Sequence, residues 1–183
     1  MAIPYENANQ IHIEEMGGGF ARTVIEALNN LWAQPTGRRL LQGIHDSGAP
    51  TSKFLDNAIV LIKHPQTRDA ISGKLRPNTV DEYGNRAVAA NEMTAKGGGG
   101  CGSAVFFNPA VEVIPGQGAR PPFIGLAHEL VHAWHNAMGT KKDTYDNEES
   151  FTVGLGAWAR PDPSLITENR IRLDYDLPIR HKY

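Results

Sequence analysis

The chain has 183 residues, 40% of them hydrophobic and 21% charged, which is enough for one domain with a real core. A net charge of −2 and a pI of about 6.4 give no support to nucleic-acid or anionic-membrane partners, and no apolar run approaches the ~20 residues of a membrane span. The single cysteine, Cys101, excludes an internal disulfide, and the N-terminus lacks the basic and apolar regions of a classical signal peptide.

Residues 1–19 are polar and end in Gly17-Gly18-Gly19. Ile11 and Ile13 alternate with His12, which predicts a short strand followed by a loop, with His12 as a surface residue. Phe20, Val24, Ala27, Leu28 and Leu31 recur at helical spacing, so a helix is expected from Phe20 to Trp32, ended by Pro35. Thr36 is placed to cap a second helix reaching about Ile44, weakened by Gly37 and Gly43. Arg38 and Arg39 read as a solvated helix face, and His45 as a helix-end residue.

The apolar run Ala58-Ile59-Val60-Leu61-Ile62 predicts a buried strand closed by Pro65. Residues 66–86 are polar, with turn signals at Gly73, Pro77 and Gly84, and Ala87 to Thr94 reads as a further strand. Gly97-Gly98-Gly99-Gly100-Cys101-Gly102 is not followed by the Lys-Ser/Thr of a phosphate-binding loop, so a mobile loop with a plain thiol is expected. Ser103 to Phe107 and Val111 to Ile114 are predicted strands, the second ending at Pro115-Gly116. The first is a place where an extended peptide could add as a strand.

Next comes Phe123 to His135, which contains H-E-x-x-H. Pro121 and Pro122 suit a helix start and Gly139 a stop. On a helix, His128 and His132 stand one above the other, able to share one zinc ion, with Glu129 beside them as general base for a zinc-activated water. A catalytic zinc needs a third protein ligand. His135 lies ~10 Å along the helix from His128, too far to join that ion, and is expected to pack or to support a ligand. Asp143, Asp146, Glu148 and Glu149 remain. Asp146 or Asn147 is placed to cap a second helix that brings a carboxylate back to the His pair, with one glutamate on zinc and the other orienting an imidazole. His135 and Met138 stand where the metzincin pattern requires Gly and His, which excludes that class.

The run His128-Glu129-Leu130-Val131-His132-Ala133-Trp134-His135, with Gly139 after it, resembles the active helix of clostridial neurotoxin light chains. Glu148-Glu149-Ser150-Phe151-Thr152-Val153-Gly154 resembles their E-E-x-x-T-x-G segment, and Arg180-His181-Lys182-Tyr183 their R-x-x-Y pair. Arg172-Leu173-Asp174-Tyr175 is a second match to that last pattern. Length and motif order resemble the NleD and HopH group of type III secretion effector metallopeptidases, over roughly residues 100–183.

The resemblance implies that Glu149 is the third zinc ligand, with Glu148 in reserve. It implies that Arg180 and Tyr183 stabilise the oxyanion, with Arg172 and Tyr175 in reserve. It implies an α+β, zincin-like single domain over residues 1–183, a small mixed sheet packed on the H-E-x-x-H helix and further helices, with an N-terminal helical part at about 20–44 and a catalytic part at about 100–183. The function it implies is a zinc endopeptidase acting as effector or toxin, secreted into a target or host cell without a classical signal peptide. Its implied partners are a protein substrate such as a host signalling kinase and a cognate inhibitor or immunity protein. Two other readings stay open: a housekeeping bacterial zinc peptidase, and a non-catalytic binding domain with a chance H-E-x-x-H.

Overall fold

The computed structural model describes residues 2–65, 84–114, 118–160, 162 and 164–183. The turn signals at Gly73 and Pro77 and the strand end at Pro115-Gly116 lie outside them. Five strands form a mixed sheet in the order β1-β2-β3-β5-β4. β1 (Ala2–Tyr5) pairs antiparallel with β2 (Ala8–Glu14), and β2 lies parallel to β3 (Val60–Lys63). β3 lies parallel to β5 (Ser103–Phe106), which pairs antiparallel with β4 (Arg86–Ala89). The alternation in β2 buries Ile11 and Ile13 on one face, while the unbroken apolar run at Ile59–Ile62 supplies the central strand, covered on both sides. A two-stranded ribbon, β6 (Val113–Ile114) with β7 (Gly118–Ala119), leads into the longest helix.

α1 (Phe20–Ala33) buries the predicted stripe of Phe20, Val24, Ala27, Leu28 and Leu31. α2 (Pro35–Asp46) follows without a loop, because Pro35 begins it rather than merely ending α1. Thr36 is therefore inside the helix and does not cap it. The cap comes from far along the chain: the Asp174 carboxylate accepts the Thr36 N–H at 2.8 Å. α4 (Pro122–Met138) packs on α1, α2, β4 and β5 through a face of fully buried Leu126, Leu130, Val131 and Ala133. One hydrophobic cluster runs from Tyr5 to Ile171, so N-terminal and C-terminal elements share a core.

Two expectations between residues 87 and 102 are corrected. The predicted strand stops at Ala89, because Asn91 caps a short helix, α3 (Glu92–Lys96), accepting the N–H groups of Met93 and Thr94 at 3.0 and 3.3 Å. The glycine run is not a mobile loop. It is strapped to the end of α4, where Gly98 N–H donates to Gly139 O at 3.0 Å and Cys101 N–H to Asn136 O at 2.9 Å. The approach is so close that a Cβ on Gly100 would lie 2.1 Å from Ala137 O, at a φ of +65°. Gly100→Ala is expected to cost about 1–3 kcal/mol from the backbone conformation alone, with the clash added. A thermal melt should therefore fall by roughly 2–4 °C or more per kcal/mol lost. An unchanged melting temperature would show that the strap is not needed. Cys101 is buried under it, its thiol against Asn91 O at 3.3 Å, and serves packing.

Candidate metal centre and cleft

α4 presents His128 and His132 on one face, one turn apart, with Nε2 atoms 3.2 Å from each other. α5 (Tyr145–Val153) returns across them. Thr144 caps it by accepting the Asn147 N–H at 3.3 Å, so neither Asp146 nor Asn147 is the cap. Adjacent residues on a helix point ~100° apart, and α5 uses that to give its two buried glutamates different tasks. Glu149 reaches the Nε2 atoms: its carboxylate oxygens lie 3.2 Å from His128 Nε2 and 3.2 Å from His132 Nε2. Glu148 faces the other side. One oxygen takes His132 Nδ1 at 3.0 Å and His135 Nδ1 at 2.8 Å, and the other accepts the Lys142 N–H at 2.7 Å. His135 is thus a support for Glu148, fully buried and stacked on Phe151 with ring centroids 4.0 Å apart.

α6 (Glu168–Asp174) supplies a residue that the sequence reading missed. Glu168 is fully buried, and one of its oxygens takes His128 Nδ1 at 2.8 Å and Arg180 Nη1 at 2.8 Å. Arg172 Nε donates to its other oxygen at 2.7 Å. Each imidazole of the pair therefore has a carboxylate on Nδ1. Such a partner holds a proton on Nδ1 and so leaves Nε2 as the nitrogen available to a metal ion.

The donor set suits a metal. His128, His132 and Glu149 bring one ligand atom each within 4.8 Å of one another. The 3.2 Å between the two Nε2 atoms is close to the edge of a tetrahedron, roughly 3.3–3.4 Å, whose centre is ~2.0–2.1 Å from each ligand atom as for zinc, and Glu149 turns a different oxygen to each imidazole at the same distance. His132, His135 and Glu148 form a second group within the same distance, but their nitrogens share one carboxylate oxygen as hydrogen-bond donors.

The charges explain the proton affinities of these side chains. Burial alone would push the imidazoles down. It is outweighed at His132 by Glu148 and Glu149, which raise it to about 10, and at His128 by Glu149 and Glu168, which raise it also. The three carboxylates resist burial through the same partners and fall well below the usual range. Glu129, 5% exposed, is raised by burial, against the pull of His128, His132 and Arg120.

The centre opens into a cleft of about 940 Å³ whose walls include Arg86, Arg120, Glu129, Lys141, Arg180 and Tyr183. Arg180 and Tyr183 line it, with Arg180 anchored through the Asn169 side chain, which exchanges hydrogen bonds of 2.7 and 2.8 Å with its backbone. The Tyr183 hydroxyl donates to Asp146, which raises the phenol to about 12. The reserve pair lies elsewhere. Arg172 is buried behind Glu168, and the Tyr175 hydroxyl donates to Asn30 O with its ring against Phe123. The strand expected to accept a peptide is also displaced. β5 is flanked by β3 and β4, whereas β4 is, with β1, an edge among the described strands of the sheet, and its Arg86 and Ala87 line the cleft.

Residues 7–183 match the sequence model of the Peptidase M91 family, described as effector protein. The chain belongs to the Peptidase M91 effector family. The match reaches through the N-terminal part, where no motif carried a resemblance. The fold is similar to that in the crystal structure of botulinum neurotoxin type D light chain, with a TM-score of 0.54 and 18% identity over 85% of this chain and 47% of that one. The Peptidase M91 chain thus spans about half the length of that light chain. No curated protein matches it by sequence.

Proposed function

We propose that this Peptidase M91 chain is a zinc endopeptidase, delivered as an effector into a target cell, where it cleaves a protein. The observation that carries this reading is the convergence of His128 Nε2, His132 Nε2 and the Glu149 carboxylate, with the nitrogens 3.2 Å apart, a Glu149 oxygen 3.2 Å from each, and an independent carboxylate on each Nδ1. Those three side chains would hold the ion, which when bound acidifies a water and polarises the scissile carbonyl. Glu129, raised by burial and adjacent to His128, takes the proton from the attacking water and returns it to the leaving amine. Arg180 and Tyr183, which line the same cleft, stabilise the developing oxyanion. An extended substrate segment runs along the β4 edge, its main chain replacing a sheet neighbour. Signalling kinases are the first substrate class to test, as the resemblance suggests. The reading is tested by incubating the wild type and Glu129→Ala with a target-cell proteome and mapping new N-termini. Termini generated equally by both proteins, or by neither, would overturn it.

Zinc content gives a further test. The purified chain should take up close to one zinc. Because Glu148 and Glu149 push the His132 imidazole up to about 10, it holds a proton at neutral pH that an incoming ion must expel. Uptake should therefore release protons, and affinity should climb as pH rises from 7 toward 10. Calorimetry in buffers of different ionisation enthalpy measures the release. Zinc binding with no proton release and no pH dependence would contradict the proposed ligand set.

A further inference from the structure

We propose, resting on the metallopeptidase reading above, that Arg120 selects an acidic side chain at the substrate residue following the scissile bond. Arg120 is 3% exposed, yet it lines the cleft. Among the described residues its buried Nε has no hydrogen-bond partner. Two other cations of the same cleft are paired: Lys141 with Glu92 at 2.7 Å and Arg180 with Glu168 at 2.8 Å. A buried guanidinium nitrogen without a partner is costly to a fold, so in the wall of a cleft it points to a partner that arrives with the ligand.

The position of Arg120 says which part of the ligand it meets. Its main chain is fixed beside the β6–β7 ribbon, where its N–H donates to Glu112 O at 2.8 Å. The guanidinium then lies on the surface of α4 over Gly125, its carbon 3.6 Å from where a Cβ would stand. Gly125 is one turn before Glu129, on the same helix face. Arg120 is close enough to act on Glu129 through its charge, although no ion pair forms. Glu129 is the group that hands a proton to the leaving amine, so a cation just beyond it faces the residue that carries that amine. A carboxylate side chain there would meet a planar donor that the fold has already buried.

The test uses the zinc-loaded full chain and four succinyl hydroxamates that differ only at the group mimicking that residue: carboxymethyl, carbamoylmethyl, isobutyl and aminoethyl. Binding is read by calorimetry, so no substrate need be known. The wild type should bind the carboxymethyl compound roughly 10–100-fold tighter than the carbamoylmethyl one, the range expected of a charge-assisted hydrogen bond. Arg120→Gln should erase that ratio while zinc content and affinity for the isobutyl compound stay as they were. Arg120→Lys should keep part of it, and Arg120→Glu should favour the aminoethyl compound. If the wild type binds all four equally, the assignment of Arg120 fails and the peptidase reading stands. If none binds the zinc-loaded chain, the peptidase reading fails and takes this inference with it. The wild-type ratio decides the matter even if a variant does not fold.

Discussion

Glu129→Ala is expected to lower proteolysis by roughly 10²–10⁴-fold, the usual contribution of a positioned proton carrier, while the protein stays folded and keeps its zinc. The expectation follows from where Glu129 stands. It is next to His128 in sequence but is not one of the three residues whose ligand atoms converge. Its carboxylate is buried, and burial raises its proton affinity, so removing it deletes a group that is desolvated at a cost. Folding should therefore suffer little. The neighbouring Arg120 and the His pair lose a counter-charge, which argues for measuring Glu129→Gln in parallel, since it keeps the shape of the side chain. Elemental analysis and circular dichroism report metal and fold, and quantitative mapping of new N-termini reports rate. A variant that loses zinc would make Glu129 part of the ligand shell. One that cleaves as fast as the wild type would remove it from the chemistry.

The active helix was legible because everything that defines it is local. The prolines that start it, the glycine that stops it and the four-residue spacing of its histidines sit within one short stretch. Strands β2, β3 and β5 were legible for the same reason, through alternation or an unbroken apolar run. What escaped depends on residues far apart. Glu168 looks like a first-turn acid after the capping Thr167, and only folding brings it against His128, 40 positions earlier. Arg172 four residues on was the available signal, since an acid with an i+4 arginine can be a buried pair as well as a solvated one. Arg120 gives no sequence signal at all, because an arginine before two prolines reads as a loop residue until the cleft is built around it. β1 was missed because Pro4 interrupts its pattern, which an edge strand tolerates. Thr144, Asp146 and Asn147 can each cap a helix, which blurred the start of α5 by two or three positions. The R-x-x-Y ambiguity is one of direction: only the path of the chain after α6 puts Arg180 and Tyr183 in the cleft and Arg172 behind it.

Glu149→Ala, Glu148→Ala and Glu168→Gln should separate three tasks that lie within one small centre. Glu149→Ala leaves two imidazoles facing each other with no third donor, so zinc retention should fall far more than in the other two. Glu148→Ala removes the partner of His132 Nδ1 and His135 Nδ1, but Thr152 Oγ1 remains 3.0 Å from His132 Nδ1. The imidazole keeps an orienting contact, and zinc affinity or rate should drop by ~10–100-fold, as for lost partners of metal ligands generally. Glu168→Gln keeps a hydrogen-bonding side chain between His128, Arg172 and Arg180 but removes the negative charge that both buried arginines share. Its principal effect should be on stability, a loss of up to about 3–5 kcal/mol as for a broken buried pair, with a smaller loss of zinc affinity. Zinc titration beside a denaturation curve for each variant resolves the order. Should Glu148→Ala lose the metal while Glu149→Ala keeps it, the two glutamates have exchanged tasks and α5 is rotated by one residue from the arrangement described. Should both keep it, the third ligand comes from outside this pair, and Asp143 and Asp146 in the approach to α5 become the candidates to test.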